Sequence, residues 1–351
     1  MKTLHALPGY RFSAYQLSLF RQLGEFKGRQ VLSTRQQPEI LDSFRQIALL
    51  ESVECSNHLD NIMVSRETVR RLVQQQLRPI TPMDRQVAGY RDALDMVVEP
   101  GEHLTLSVSL IRQLHAMLYA HLPHEGGRWR PTNKDIVERD DNGKRIGILY
   151  RTIPVPELAL AMEQTVALYH EGIERGIEPL LMIAAATLDF MCVHPFSDGN
   201  GRIARLLMLL MLANNGYNIG QLVSIEKILA EDKEAYVRAW RLSVKGWHES
   251  SHNPMPWIDF FLATLNKAGE SLEQKVSDLQ WQGIRAPKSQ LIKTAIERIE
   301  GTFSVADICI EIPTVSRELV KKVIQQLRTE GQLESVGKGR GAQWQKVAKA
   351  G

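Results

Sequence analysis

Apolar positions recur with helical spacing through most of the chain. Over residues 1–100 the segments Tyr15–Leu23, Pro38–Leu50, Glu67–Gln76 and Pro82–Val98 carry it, which predicts a helical N-terminal region. Ser107–His121 is amphipathic, with Leu110, Ile111, Leu114 and Leu118 on its inward face. Two later segments differ: Pro179–Val193 and Leu206–Ala213 are apolar on nearly every face. A helix without a polar face must be surrounded, so these predict two central helices of a core spanning residues 101–267. Ile225–Trp240 and Pro256–Leu265 predict two more. Asp140–Gly143 is a turn signal between the short β-prone runs Ile136–Val137 and Ile146–Tyr150, which predicts a hairpin in an otherwise helical protein. Residues 268–289 are polar and interrupted by Gly269, Gly283 and Pro287, and read as a connector to a last module, residues 290–351.

Composition adds little to this picture. With 44% hydrophobic and 24% charged residues over 351 positions, the chain is an ordinary globular one with room for two or three domains. The Pro179–Val193 run contains Thr187 and Asp189 and is too short to cross a membrane. The first ten residues lack the apolar core of a signal peptide. Three scattered cysteines, Cys55, Cys192 and Cys309, fit a reducing compartment, so a cytoplasmic location is expected. Cys192 reads as a small core residue rather than a nucleophile. A net charge of +3 argues for no partner by itself.

The chemistry lies between the two apolar helices, in His194-Pro-Phe-Ser-Asp198-Gly199-Asn200-Gly201-Arg202-Ile-Ala-Arg205. Charged groups at the junction of two buried helices need a strong counter-interaction, and a polyanion supplies one. Pro195 disfavours helix at His194, so the first helix stops there. Gly199 and Gly201 allow a sharp turn close to a ligand. Backbone N–H groups of the following helix start form an anion nest at the positive end of its dipole. Arg202 and Arg205 are three apart, on one face of the first turn, and can clamp further phosphate oxygens. Asp198 is a candidate Mg²⁺ ligand, and His194 the one group that can take a proton near neutral pH.

This stretch resembles HPFx[D/E]GNGRxxR, the signature of the Fic (filamentation induced by cyclic AMP) domain family, at every defined position. The resemblance extends over roughly residues 45–265. It implies a mostly α fold, with a Fic-type helical core and a small β-hairpin flap over the active site. It implies AMP transfer from ATP to a Ser, Thr or Tyr hydroxyl of a target protein. In that scheme His194 deprotonates the hydroxyl and Asp198 holds Mg²⁺. Gly199, Asn200 and Gly201 bind the α- and β-phosphates, and Arg202 and Arg205 the distal ones. Tyr236, in Lys-Glu-Ala-Tyr-Val-Arg, resembles a residue that walls the adenine pocket; core packing is the alternative. Ser56-Asn-His-Leu-Asp60-Asn61 resembles the family's inhibitory motif [S/T]xxxE[G/N], whose glutamate pairs with the second motif arginine, here Arg205. Asp60 stands where Glu is expected, which shortens the reach by about 1.5 Å.

The last module predicts helices at Gln290–Ile299, Ser304–Glu311 and Ser316–Arg328, the third N-capped by Thr314 or Ser316, then a two-stranded wing around Gly337–Gly341. This resembles a C-terminal winged helix-turn-helix. From Arg285 onward twelve Lys and Arg face seven Asp and Glu, and Arg317, Lys321, Lys322, Lys338 and Arg340 are candidate DNA contacts, with protein interaction as the alternative. His248-Glu-Ser-Ser-His252 matches HExxH, but Gly246 and Pro254 leave no room for the sustained helix that a zinc site needs. The resemblance implies a protein adenylyltransferase with a restraining N-terminal helix. Expected partners are a hydroxyl-bearing target protein and, as candidates, duplex DNA through residues 290–351 and a second copy in a homodimer; no membrane contact is expected. Two other readings stay open: another nucleotidyl- or phosphotransferase on the same motif, or a DNA-binding regulator with a vestigial Fic domain.

Overall fold

The computed structural model of the chain describes residues 1–33, 38–99, 104–139, 144–281, 288–299, 301–312, 315–336 and 343–347. The chain divides into two compact units, one of Met1–Leu32 with Ala48–Glu270, the other of Ser33–Ile47 with Ser271–Gly351. The helices up to the hairpin are α1 (Lys2–Ala6), α2 (Ala14–Ser33), α3 (Pro38–Leu59), α4 (Arg66–Val73), α5 (Pro82–Val98) and α6 (Val108–Leu118). Strands β1 (Ile136–Arg139) and β2 (Arg145–Tyr150) pair antiparallel. Then follow α7 (Leu158–Glu174), α8 (Pro179–Val193), α9 (Asn200–Asn214), α10 (Ile219–Leu222), α11 (Ile225–Glu231), α12 (Lys233–Val244) and α13 (Met255–Trp281). No helix is long and apolar enough to cross a membrane among the described residues.

The first unit is organised around α8 and α9, as their all-round apolar character requires. Every residue from Leu180 to Phe190 is buried, and so is every residue from Arg202 to Leu212. These helices pack on each other; α1 and α7 cover α8, and α5 and α6 cover α9. The buried Asp189 of α8 is satisfied without a cation. Its carboxylate accepts the N–H groups of Thr3 and Leu4 at the start of α1, both at 3.1 Å, and the Trp247 indole N–H at 2.7 Å. Local caps define the surrounding helices. Thr81 and Asp84 form a capping box with Pro82 at the first turn of α5, and Ser107 Oγ accepts from Leu110 N to start α6.

Several elements depart from the expectations. The helix expected over 225–240 is interrupted at Asp232, whose carboxylate caps α12 through Ala235 N at 3.0 Å. Residues 268–281, expected in the connector, continue α13, because Gly269 serves the approach of the Phe26 ring and not a break. Helix α7 has no counterpart in the expectations: its buried positions include Ala161, Thr165 and Gly172, which dilute the apolar pattern. The hairpin strands form as expected, while their turn, residues 140–143, lies outside the described residues.

In the second unit, α14 (Lys288–Arg298), α15 (Val305–Glu311) and α16 (Arg317–Thr329) accompany β3 (Thr302–Phe303), β4 (Leu333–Val336) and β5 (Gln343–Lys346). Ile292, Ile296, Phe303, Ile308, Val323 and Leu327 are among the residues of its core. The expected two strands are joined by a third: β3 pairs with β5, giving the order β3-β5-β4. Ser316 caps α16 through Leu319 N at 3.2 Å. Thr314, Lys338, Arg340 and the turn at 337–341 lie outside the described residues.

Helices α5 and α6 meet so closely at Gly89 that an added Cβ would lie 2.3 Å from the Leu118 carbonyl oxygen. Gly89→Ala is therefore expected to lower stability by about 1–3 kcal/mol through overpacking. Gly24→Ala, in α2 where nothing lies within 4 Å, is expected to raise it by about 0.4–1 kcal/mol. Urea denaturation of both variants checks the pair; equal effects at the two sites would contradict the packing at Gly89.

Candidate active site

The candidate site lies in the loop between α8 and α9. Helix α8 stops at Val193, and His194 adopts left-handed backbone angles, φ 50° and ψ 60°. For a non-glycine residue this costs on the order of 1–3 kcal/mol, so the surroundings must enforce it. They do so carbonyl by carbonyl. Arg130 Nε donates to His194 O at 3.0 Å and Arg130 N to Pro195 O at 2.9 Å. Asn200 Nδ2 donates to Phe196 O at 2.8 Å, and Lys134 Nζ to Ser197 O. His115 Nε2 meets Asp198 O at 3.1 Å. Five consecutive carbonyls are thereby each bound by a donor from outside the loop. Gly199, at φ 74°, then turns the chain into α9, whose first turn has no side-chain cap.

Two aromatic rings set the loop's height. Phe196 is fully buried, stacks on His115 at 3.7 Å between ring centres, and touches Trp129 at 5.0 Å. Gly127 N donates to His115 Nδ1 at 2.8 Å, so Nε2 carries the proton that goes to Asp198 O. Burial holds this imidazole down to about 4, against the pull of the Asp198 carbonyl, so it stays neutral and keeps that tautomer. The Asp198 carboxylate is exposed and accepts from Tyr119 Oη at 3.0 Å. Burial raises its pKa, but the Gly199 N–H, Arg202, Tyr119 and Lys134 together hold it below the usual carboxylate value. Burial pushes the His194 imidazole down to about 4, aided by Lys134 and Arg130, while a ring hydrogen bond to the Met191 carbonyl opposes the shift. At neutral pH one ring nitrogen is thus left to accept a proton.

Arg202 and Arg205 are both buried at the start of α9, 1% and 3% exposed. The positive end of a helix dipole is an unfavourable place for two cations, and α3 supplies what offsets them. Asp60, just past the end of α3, lies 3.3 Å from Arg202 Nε and 3.1 Å from Arg205 Nη2. Ser56 Oγ accepts from Arg205 Nε at 2.7 Å, and Ser56 O from Arg205 Nη2 at 2.8 Å. The expected pairing with Arg205 is present, and the shorter carboxylate spans both arginines. Asn61 accepts from Lys233 Nζ at 3.1 Å. Gly201 makes room for this arrangement, since a Cβ there would meet Asp60 Oδ1 at 2.9 Å. Arg202 also donates to Gln86 Oε1 at 3.0 Å, and its buried Nη1 makes no hydrogen bond among the described residues. A buried donor left over in this way is available to a ligand.

The Asn200 side chain is committed to Phe196, accepting from its N–H at 2.9 Å and donating to its carbonyl, so only its backbone N–H remains to meet a phosphate. Tyr236 is 9% exposed, sits among Trp257 and Phe260, accepts a hydrogen bond from Arg205, and lines a cavity with Arg205, Trp257 and Phe260. Cys192 is fully buried, and its thiol is pushed well above its ordinary pKa. His248 binds the Arg151 carbonyl and His252 the Thr3 hydroxyl from a stretch that is not helical, so HExxH forms no zinc site. No group of three or more His, Cys, Asp or Glu that could hold a metal exists among the described residues. A Mg²⁺ ion fits only as Asp198 plus ligand phosphates, which is its usual mode of binding.

The motif did not reveal His115, Tyr119, Arg130 and Lys134. His115 and Tyr119 are four apart on α6, a spacing that puts them on one face, and Arg130 follows Gly126-Gly-Arg-Trp.

Residues 105–212 match the Fic/DOC family. A protein adenylyltransferase Fic of Drosophila grimshawi is 30% identical over 118 residues, 33% of this chain and 22% of the relative, so the match spans about a fifth of that protein. The fold resembles that of a Fic family protein from Desulfovibrio desulfuricans, with a TM-score of 0.59 and 18% identity over 97% of this chain and 98% of the other. It also resembles Fic-1 of C. elegans, with a TM-score of 0.61 and 18% identity over 77% and 74%.

Gly201→Ala should displace the Asp60 carboxylate. Its loss of stability is expected to shrink by about 1 kcal/mol or more in an Asp60→Ala background, as for any pair in contact. A double-mutant cycle by chemical denaturation measures this, and strict additivity would place Asp60 elsewhere.

Proposed function

We propose that this chain, which carries a Fic/DOC family domain, is a protein adenylyltransferase that moves AMP from ATP to a hydroxyl of a target protein and is restrained by Asp60. One observation carries the reading. A neutral His194 on an anchored loop leads into a helix start where two buried arginines hold an anion and retain unused donors.

The target hydroxyl oxygen attacks the α-phosphorus, the bond to the bridging oxygen of pyrophosphate breaks, and His194 takes the hydroxyl proton. The left-handed turn at His194, fixed by Arg130, ends α8 and sets where the imidazole stands. The first-turn N–H groups of α9 are donors for phosphate oxygens, and Arg202 and Arg205 are donors for the distal phosphates. A Mg²⁺ ion held by Asp198 and the phosphates would offset the triphosphate charge. Asp60 occupies the place of a distal phosphate between the two guanidinium groups, so productive ATP must displace it. Exposed Ile146 and Ile148 on β2 suit a flap that pairs with an extended segment of the target. On α16, exposed Arg317, Lys321 and Lys322 suit contact with phosphates of duplex DNA, which supports a separate binding role for the second unit.

His194→Ala is expected to abolish auto-modification with α-labelled ATP, by about 10²-fold or more, while ATP binding persists. The base must be neutral, and it becomes protonated only as pH falls through about 4. The acid limb of kcat/KM is therefore expected well below the ordinary histidine value; a limb near 6.5 would point to a base in an ordinary environment.

Asp60→Ala is expected to raise auto-modification and Arg205→Ala to lower it, since the first frees the guanidinium and the second deletes it. Asp60→Glu should restrain at least as firmly as the native residue. Activity of Asp60→Ala no higher than that of the native protein would make the α3 contact purely structural.

A further inference from the structure

A second carboxylate is buried in the first unit, and the proposed chemistry does not use it. Glu226, in the first turn of α11, is fully buried and has no cation as its partner in any hydrogen bond described here. Its Oε2 accepts from Ser52 Oγ at 2.8 Å and its Oε1 from Tyr90 Oη at 3.0 Å, so α3 and α5 both supply donors. The Ser52 hydroxyl also lies 2.9 Å from Ser224 Oγ, the cap of α11. Tyr90 in turn receives a hydrogen bond from the Ser56 hydroxyl, and Ser56 Oγ accepts from Arg205 Nε at 2.7 Å. The donors run in one direction, from the Arg205 guanidinium through Ser56 and Tyr90 to the Glu226 carboxylate.

Ser52, Ser56 and Asp60 are spaced by four along α3 and its end, which places them on one face. Ser52 and Ser56 are 2% and 0% exposed, where a helix facing a core normally presents apolar groups. Each successive turn meets a different polar group: Glu226, then Arg205, then Arg202 with Arg205. A helix held only by apolar packing can slide or rotate at small cost. One whose buried hydroxyls are matched to a fixed carboxylate cannot, because a shift leaves buried polar groups unpaired.

We infer that Glu226 is a positioning residue for the restraint: through Ser52, and through Tyr90 and Ser56, it fixes the register of α3 so that the Asp60 carboxylate meets both arginines. This rests on the reading of Asp60 as a brake. Lys227, beside it, adds an outer tie to α3 at Glu51, Nζ to Oε1 2.5 Å.

The test uses the full-length chain with Tyr90→Phe, Ser52→Ala and Glu226→Gln, each alone and combined with Asp60→Ala. Tyr90→Phe and Ser52→Ala remove one oxygen each and keep the fold testable should Glu226→Gln fail to fold. Amide hydrogen exchange over residues 52–61 is expected to quicken by roughly tenfold, with α9 unchanged. Auto-modification with α-labelled ATP is expected to rise in the single variants and to rise no further when they are added to Asp60→Ala. Unchanged exchange over 52–61 overturns the inference. So does a gain that adds to that of Asp60→Ala, since Glu226 would then act through another group. Faster exchange with no activation by Asp60→Ala itself supports the anchor and sinks the brake instead, so the two failures are distinct.

Discussion

Two guanidinium groups buried at the positive end of a buried helix are the constraint around which the first unit is arranged. Arg202 and Arg205 cannot reach water, and the dipole of α9 adds to their charge. An anion must stand at that point in every state of the folded chain. Asp60 provides it from α3, Gly201 gives it space, and Ser56 takes the donors that Asp60 cannot. The position of α3 against the core and the glycine at the helix start then have one electrostatic origin. The proposed polyphosphate would enter by replacing an anion already present, and not by filling a void.

The loop between α8 and α9 obeys a different rule. Its geometry is held by donors that arrive from α6, from the segment before the hairpin and from α9, each bound to one backbone carbonyl. Each of these bonds contributes only about 1–3 kcal/mol net, the upper end for the cationic Arg130 and Lys134. Acting on consecutive residues they leave the backbone no alternative path, which is what a non-glycine residue in the left-handed region requires. His194 is therefore aimed by residues far from it in sequence.

That difference explains what was legible in the sequence. The central helices could be read because a segment apolar all round has one fate, and α8 and α9 lie where Pro179–Val193 and the motif put them. The boundary at His194 followed from Pro195, and the pairing of Asp60 with Arg205 from the resemblance of Ser56–Asn61 to the family's inhibitory motif. The supports of the loop were not legible, because a side chain that binds a backbone carbonyl leaves no residue-type pattern at the other end. Asn200 shows the same limit: the sequence does not reveal that its side chain closes onto the Phe196 backbone and leaves only the N–H free. Gly269 misled in the opposite sense, since a glycine that accommodates the Phe26 ring has the same letter as one that ends a helix. The division of 225–240 at Asp232 was visible only as a capping residue inside an otherwise continuous apolar pattern.

The double duty of Asp60 also bears on how such a chain can change over generations. If Asp60 restrains the site as proposed, a substitution that removes the carboxylate frees the site and at the same time leaves two buried cations without their counter-ion. Variants that lose such a restraint would then lose folding stability in the same step, and quality control would meet them before their activity does. On that reading, drift toward a permanently active form is opposed by the fold itself.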